Sequence, residues 1–200
     1  MAKSNWINFN FNPWNAAVGD CSIRAVSAGT GLDYREVCKK LGVSYKNGKG
    51  LIRDSGIGLE LIEDRFDEYF DIVEDFYDNY SFVPDEYAGT LYDKQLDNFD
   101  ASIGVGAISN TTLDEFIDEF KDQGIFLVSL EGNPKAKNPI ARKGGHIVCV
   151  KCIPGKKQGF IDTWDSGEML VDAYMRVKKM EPYDSPKHWR YDHEKKKFIV

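Results

Sequence analysis

The chain has 200 residues, of which 42% are hydrophobic and 13% aromatic, enough to bury one ordinary core and too few for two full domains. A charged fraction of 29% with a net charge of -6 supplies no global basic field of the kind that holds DNA or RNA, so nucleic-acid binding is not expected. No run reaches the roughly 18 to 20 apolar residues that cross a bilayer, and the opening MAKSNWINFNFNPWN lacks the apolar stretch of a signal peptide, so the expected setting is a cytoplasm without membrane association.

Residues 6–11 alternate apolar and polar side chains as a half-buried strand does, and Asn12-Pro13 breaks the pattern into a loop that runs to Gly19-Asp20. Residues 22–28 read as a helix with Ile23 and Val26 on one face, ended by the glycines at 29–31, and Asp33 is the expected N-cap of a second helix running to Leu41. From 54 to 100 the chain carries 15 Asp or Glu against only Arg65 and Lys94, interleaved with Phe and Tyr (RFDEYFDIVEDFYDNYSF). This acidic, aromatic-rich block is expected to be an insertion. It is either a solvated helical segment docked through its rings or a specificity surface for a basic partner. Thr112 with Glu115 forms a capping-box signature, which predicts an amphipathic helix over 113–122. Residues 125–130, 146–153, 160–164 and 170–177 are short runs rich in Val, Ile and aromatics between turn residues, and read as antiparallel strands, with a last strand near 197–200. Helices first and strands last predict an α+β domain, N-terminal helices packed on a C-terminal antiparallel sheet.

Four cysteines are too few for a disulfide scaffold and are expected as reduced thiols, and the three histidines leave imidazole chemistry few places to go. Cys21 follows a loop and opens a helix, where free backbone N–H groups and the helix dipole favour a thiolate. Gly19 lets a substrate carbonyl come close, and the Cys21 N–H can point at a developing oxyanion. His146 follows Gly144-Gly145 at the start of a strand, and Asp162 lies on the next strand, across the turn at 154–157. A hairpin brings the two side by side, with the carboxylate on Nδ1 and Nε2 left to take the thiol proton. Period-two alternation puts Asp162 on the face of Trp164 and Asp165 on the other. Taken singly, each of these residues also reads as ordinary: a small buried thiol, a hydrogen-bonded core imidazole, a strand-end carboxylate.

Taken together, the order Cys21, His146, Asp162 resembles a divergent papain-like cysteine peptidase. Asp162-Thr163-Trp164 is similar to the family's Asn-Ser-Trp, in which the amide orients the histidine and the indole shields the pair. Asn15 falls where the family keeps a Gln that donates to the oxyanion hole. The phrases GDCSIRAVS, HIVCVK and DTWDSG resemble small papain-fold proteins of bacteriophages, which implies a host cytoplasm. The resemblance implies one papain-like domain over 1–200 and an amide, peptide or isopeptide bond hydrolysed through a Cys21 thioester. Its catalytic set is Cys21, His146, Asp162 and Asn15, with no cofactor or metal and a peptide or protein substrate, possibly basic. It further implies that Asp162→Asn, which restores the papain residue, keeps substantial activity. The other class of reading is a binding module, a papain fold whose acidic face sequesters a host factor and whose chemistry is dispensable.

Three further signals are set lower. Cys149-Val-Lys-Cys152 has the spacing of half a zinc site, but residues three apart on a strand face opposite sides of the sheet. The basic tail KHWRYDHEKKKFIV, with His188 and His193, reads as a solvated edge. Arg24 is expected to anchor an acidic residue such as Asp20 or Asp165, since an arginine cannot act as a base.

Overall fold

The computed structural model describes residues 5–13, 19–43, 45–46, 49–50, 57–76, 79–82, 105–108, 110–180, 190–192 and 197–199. The elements run β1 (Trp6–Asn8), α1 (Cys21–Thr30), α2 (Tyr34–Lys40), β2 (Tyr45–Lys46), β3 (Lys49–Gly50), α3 (Leu59–Arg65), β4 (Glu74–Asp75), β5 (Asn79–Phe82) and β6 (Val105–Ile108). They continue with α4 (Leu113–Glu119), β7 (Gly124–Glu131), a 3-10 turn (Pro139–Arg142), β8 (His146–Cys152), β9 (Gly159–Asp162), β10 (Leu170–Arg176), β11 (Arg190–Asp192) and β12 (Lys197–Ile199). The domain is mixed α+β, built on one six-stranded sheet in the order β1-β9-β8-β7-β10-β4. Every pairing in that sheet is antiparallel except β1 with β9. Strands form near both chain ends where expected: β1, shorter than the expected 6–11, is an edge of the main sheet, and β12 pairs with β11 in a separate hairpin.

Side-chain alternation divides the core in two. Ile125, Leu127, Ile147, Cys149 and Ile161 face one cluster with α1, α2 and α3, while Phe126, Val128, Val148, Val150 and Phe160 face another with α4. The helices therefore lie on both faces of the sheet, not in the single layer expected from helices preceding strands. β10 would break the alternation, since Val171 belongs to one cluster and Ala173 and Met175 to the other. A register shift between Val171 and Ala173 accounts for it, with Asp172 as the extra residue of a β-bulge.

Local signals fix the helices that carry the site. α1 runs through Gly29 and stops at Gly31, whose φ of 77° is left-handed. Gly29 stays helical because the helix lies close to the sheet there: a Cβ would stand 3.3 Å from the Val177 side chain and 3.9 Å from Cys149 Sγ. Asp33 caps α2 by accepting from the Arg35 N–H at 2.9 Å. Thr112 and Glu115 form the capping box of α4, which ends at Glu119, short of the expected 122, as the chain turns through Asp122 at φ 61°.

Of the acidic block, residues 57–76 belong to the domain's own core and sheet. Leu59, Ile62, Phe66, Tyr69 and Phe70 are buried in the cluster under α1, and β4 extends the sheet beside β10. Their acidic neighbours Asp64, Asp67 and Glu68 are exposed, so the segment is amphipathic rather than an appendage. Residues 83–104 lie outside the described residues. Among the described residues no helix is long and apolar enough to cross a membrane.

Because Phe66 and Phe70 are 0% and 1% exposed, truncating either to Ala should cost the whole domain about 3–5 kcal/mol. Urea denaturation followed by tryptophan fluorescence checks this. An unchanged midpoint in both variants would show the segment to be separable.

Candidate active site

Cys21 is the first residue of α1, and Asp20 before it occupies the N-cap without capping. Its carboxylate is used elsewhere: Oδ1 pairs with Arg24 Nε at 2.8 Å, and Oδ2 accepts from Asn12 Nδ2 at 2.9 Å and from the Tyr34 hydroxyl at 2.7 Å. The first bond of the helical ladder runs from the Arg24 N–H to the Asp20 carbonyl at 3.0 Å, so the N–H groups of Cys21, Ser22 and Ile23 stand ahead of it. The Ser22 hydroxyl donates to the Ile57 carbonyl at 3.0 Å and ties this first turn to the chain entering α3. Among the described residues, a Cβ at Gly19 would meet nothing within 4 Å.

His146 begins β8 directly after Gly145, whose φ of 78° lets the chain turn into the strand. β8 and β9 pair Cys149 with Ile161 and Val150 with Phe160. Carried one step on, that register sets Asp162 opposite Val148, so His146 meets Asp162 on the diagonal of one face. The ring reaches it with its far nitrogen: Nε2 donates to Asp162 Oδ2 at 2.7 Å. This reverses the expected tautomer, because the carboxylate holds Nε2 and leaves Nδ1 for the thiol, with which the ring is hydrogen-bonded. The Trp164 ring lies over the imidazole at a centroid distance of 5.1 Å and a tilt of 35°.

Asp162, 1% exposed, is fully engaged. Oδ1 accepts from the Thr163 N–H at 2.7 Å and from Arg24 Nη1 at 3.2 Å, while Oδ2 accepts from His146 and from the Ser166 hydroxyl at 2.9 Å. Its backbone carbonyl accepts from Trp6 Nε1 and the Phe9 N–H, both at 3.0 Å, which ties β1 to the site. Asp165 is turned away: its carboxylate accepts from the Gly167 N–H at 3.2 Å within the turn. Arg24 thus joins Asp20 to Asp162, not to Asp165.

These contacts change what an amide at 162 would do. An asparagine has one carbonyl oxygen for four donors. Turned toward His146, it sets its NH2 against Arg24 and the Thr163 N–H; turned the other way, it donates to Nε2 and forces the proton onto Nδ1, the nitrogen that must receive the thiol proton. The restored papain residue is therefore expected to be harmful here.

Burial alone would raise the Cys21 thiol, but the hydrogen bond and charge of His146, the Ile147 N–H and the nearby Arg24 outweigh it and hold the thiol below its ordinary value. Burial opposes a charge on His146 as well, and the hydrogen bonds with Asp162 and Cys21 overcome it, raising the imidazole to about 9. Asp162 is lowered against the pull of burial by His146 and Arg24. Both shifts favour the thiolate and imidazolium forms of the pair. The other thiols go the opposite way, with burial pushing Cys38 up to about 12 and Cys149 and Cys152 to about 11.

Cys149 and Cys152 fall in different core clusters on opposite faces of the sheet. Asn15, His188 and His193 lie outside the described residues. Asn12, Tyr34 and Ser166, which complete the polar network, were not singled out by sequence; only the i,i+4 spacing of Asp20 and Arg24 hinted at it. No family model, curated protein or solved structure matches the chain.

Cys21 combines a lowered thiol with partial exposure, whereas Cys38, Cys149 and Cys152 are 0% exposed. Sub-stoichiometric iodoacetamide at neutral pH should therefore modify Cys21 first, as read by peptide mass spectrometry. Equal or earlier labelling of another cysteine would remove Cys21 as the reactive thiol.

Proposed function

We propose that the protein is a papain-like cysteine hydrolase that cleaves an amide bond, peptide or isopeptide, through a thioester on Cys21. The observation that carries this reading is the ordered line Cys21, His146, Asp162, with the thiol hydrogen-bonded to an imidazole whose Nε2 is held 2.7 Å from a buried carboxylate. The Cys21 thiolate attacks the carbonyl carbon, and the oxyanion is met by the Cys21 N–H and, by the papain resemblance, by Asn15. The imidazolium then gives its Nδ1 proton to the leaving amine as the C–N bond breaks. In the second half, neutral Nδ1 takes a proton from water as the hydroxyl attacks the thioester, the C–S bond breaks, and a carboxylic acid leaves with the thiolate and imidazolium restored. Asp162 orients the ring throughout, and Trp164 keeps water from the His146–Asp162 contact.

A basic peptide or protein is the substrate class we favour. The acidic segment that opens with Ile57 is bonded to the first turn of α1, next to the nucleophile, and the net charge is -6.

A library of amide and isopeptide substrates, with basic and acidic members, tests the reading. Cys21→Ala should abolish turnover while leaving the fold intact, and Asp162→Ala and Asp162→Asn should each lose roughly ten- to a thousandfold in rate. Asp165→Ala should change it little. Full turnover by Cys21→Ala would refute the hydrolase reading. A biological effect that survives Cys21→Ala, with no turnover of any substrate by the native chain, would favour the binding module.

A further inference from the structure

Arg24 is the one described cation set between two buried carboxylates. Its side chain is 11% exposed, and it offers Nε to Asp20 at 2.8 Å and Nη1 to Asp162 at 3.2 Å, with the same Nη1 3.3 Å from the Thr163 hydroxyl. Asp20 and Asp162 are each 1% exposed. Two carboxylates so deeply withdrawn from water are stable as anions only with a cation and hydrogen bonds supplied by the protein. The planar fork of a guanidinium presents separate, fixed donors to the two carboxylates, where a lysine would offer a single point charge.

We propose that Arg24 is a positioning residue of the reactive pair: by dividing its guanidinium between Asp20 and Asp162 it holds the orienting carboxylate in place and sets the charge balance under which Cys21 is a thiolate. The proposal rests on the Cys21–His146–Asp162 reading above. The charged groups facing one another here are Asp20 and Cys21 at the start of α1, Arg24 one turn on, His146 from β8 and Asp162 from β9, with the Tyr34 hydroxyl of α2 donating to Asp20. With the pair ionised, three anions (Asp20, Cys21, Asp162) stand against two cations (Arg24, His146), a net of minus one. Without Arg24 the same site would hold minus two. The least costly relief is to return a proton to Cys21, because a thiolate is by nature a stronger base than a carboxylate.

Arg24 also fixes geometry. Its bond to Oδ1 leaves Oδ2 turned to His146 and Ser166, and its bond to Asp20 ties that carboxylate to the residue just before the nucleophile. The network thus adds a polar link between the N-terminus of α1 and the ends of β8 and β9, whose apolar side chains already share one core cluster.

The test is the rate of Cys21 alkylation by iodoacetamide as a function of pH, measured on the full chain for the native protein, Arg24→Gln, Asp20→Asn and the double variant. The two single variants separate charge from structure because they carry opposite signs. Arg24→Gln should move the acid limb of the profile up by about one pH unit or more, cutting the rate below that limb about tenfold. Asp20→Asn, which leaves Arg24 to Asp162 alone, should leave the limb in place or move it down. If Arg24→Gln leaves too much buried negative charge to fold, the double variant removes that excess, and its limb should lie above that of Asp20→Asn by the same unit. Shifts of both single variants in one direction, or coincident limbs for Asp20→Asn and the double variant, would overturn the proposal while a native limb below the range of ordinary thiols would leave the reactive pair standing. A native limb at the ordinary thiol range would overturn both.

Discussion

The carboxylate of Asp162 is the point on which the site turns. It is buried at the end of β9, where an isolated anion would cost several kcal/mol, and it is kept charged by four donors: His146, Arg24, Ser166 and the Thr163 N–H. Each donor comes from a part of the chain that must already be in place. His146 requires the register of β8 on β9, Arg24 requires α1 to lie against the sheet, and Ser166 and Thr163 require the turn that follows β9. The Asp162 carbonyl adds β1 through Trp6 and Phe9. One buried carboxylate thus makes the correct assembly of four separated segments a condition for a satisfied site.

The same arrangement divides labour between core and chemistry. Around the site the cysteines are buried and their thiols raised, so they pack as small apolar groups. Cys21 stands apart because it lies at a helix start, partly exposed, with His146 and Arg24 beside it. The helix start is left to it because Asp20, which by type should cap the helix, turns its carboxylate to Arg24, Asn12 and Tyr34 instead.

Much of this was legible in the sequence where a local rule governs. The caps at Asp33 and Thr112, the strands at β7 to β10, and the parity that puts Asp162 and not Asp165 toward His146 all follow from spacing and residue type. What was not legible depends on contacts distant along the chain. Sequence order alone does not say that α4 crosses to the far face of the sheet, nor that a bulge at Asp172 re-aims β10. Composition over 54–100 left two readings open, and for residues 57–76 the docked rings hold, since Phe66, Tyr69 and Phe70 face inward while Asp64, Asp67 and Glu68 face water. The ring nitrogens of His146 were assigned in reverse because the diagonal offset of β8 and β9, and not mere adjacency, decides which nitrogen meets the carboxylate. The donors on both oxygens of Asp162, which no spacing rule shows, are what make an asparagine there an expected loss.

The central claim is that Cys21 rests as a thiolate paired with His146. Thiolate absorbs in the near ultraviolet where thiol does not, so the difference in absorbance between the native protein and Cys21→Ala, followed through a pH titration, reads the charge on that one sulfur. The account predicts close to one thiolate already present at about pH 7, well below the range in which an ordinary cysteine ionises. A difference signal that is absent at neutral pH and appears only as the pH passes about 8.5 would contradict it.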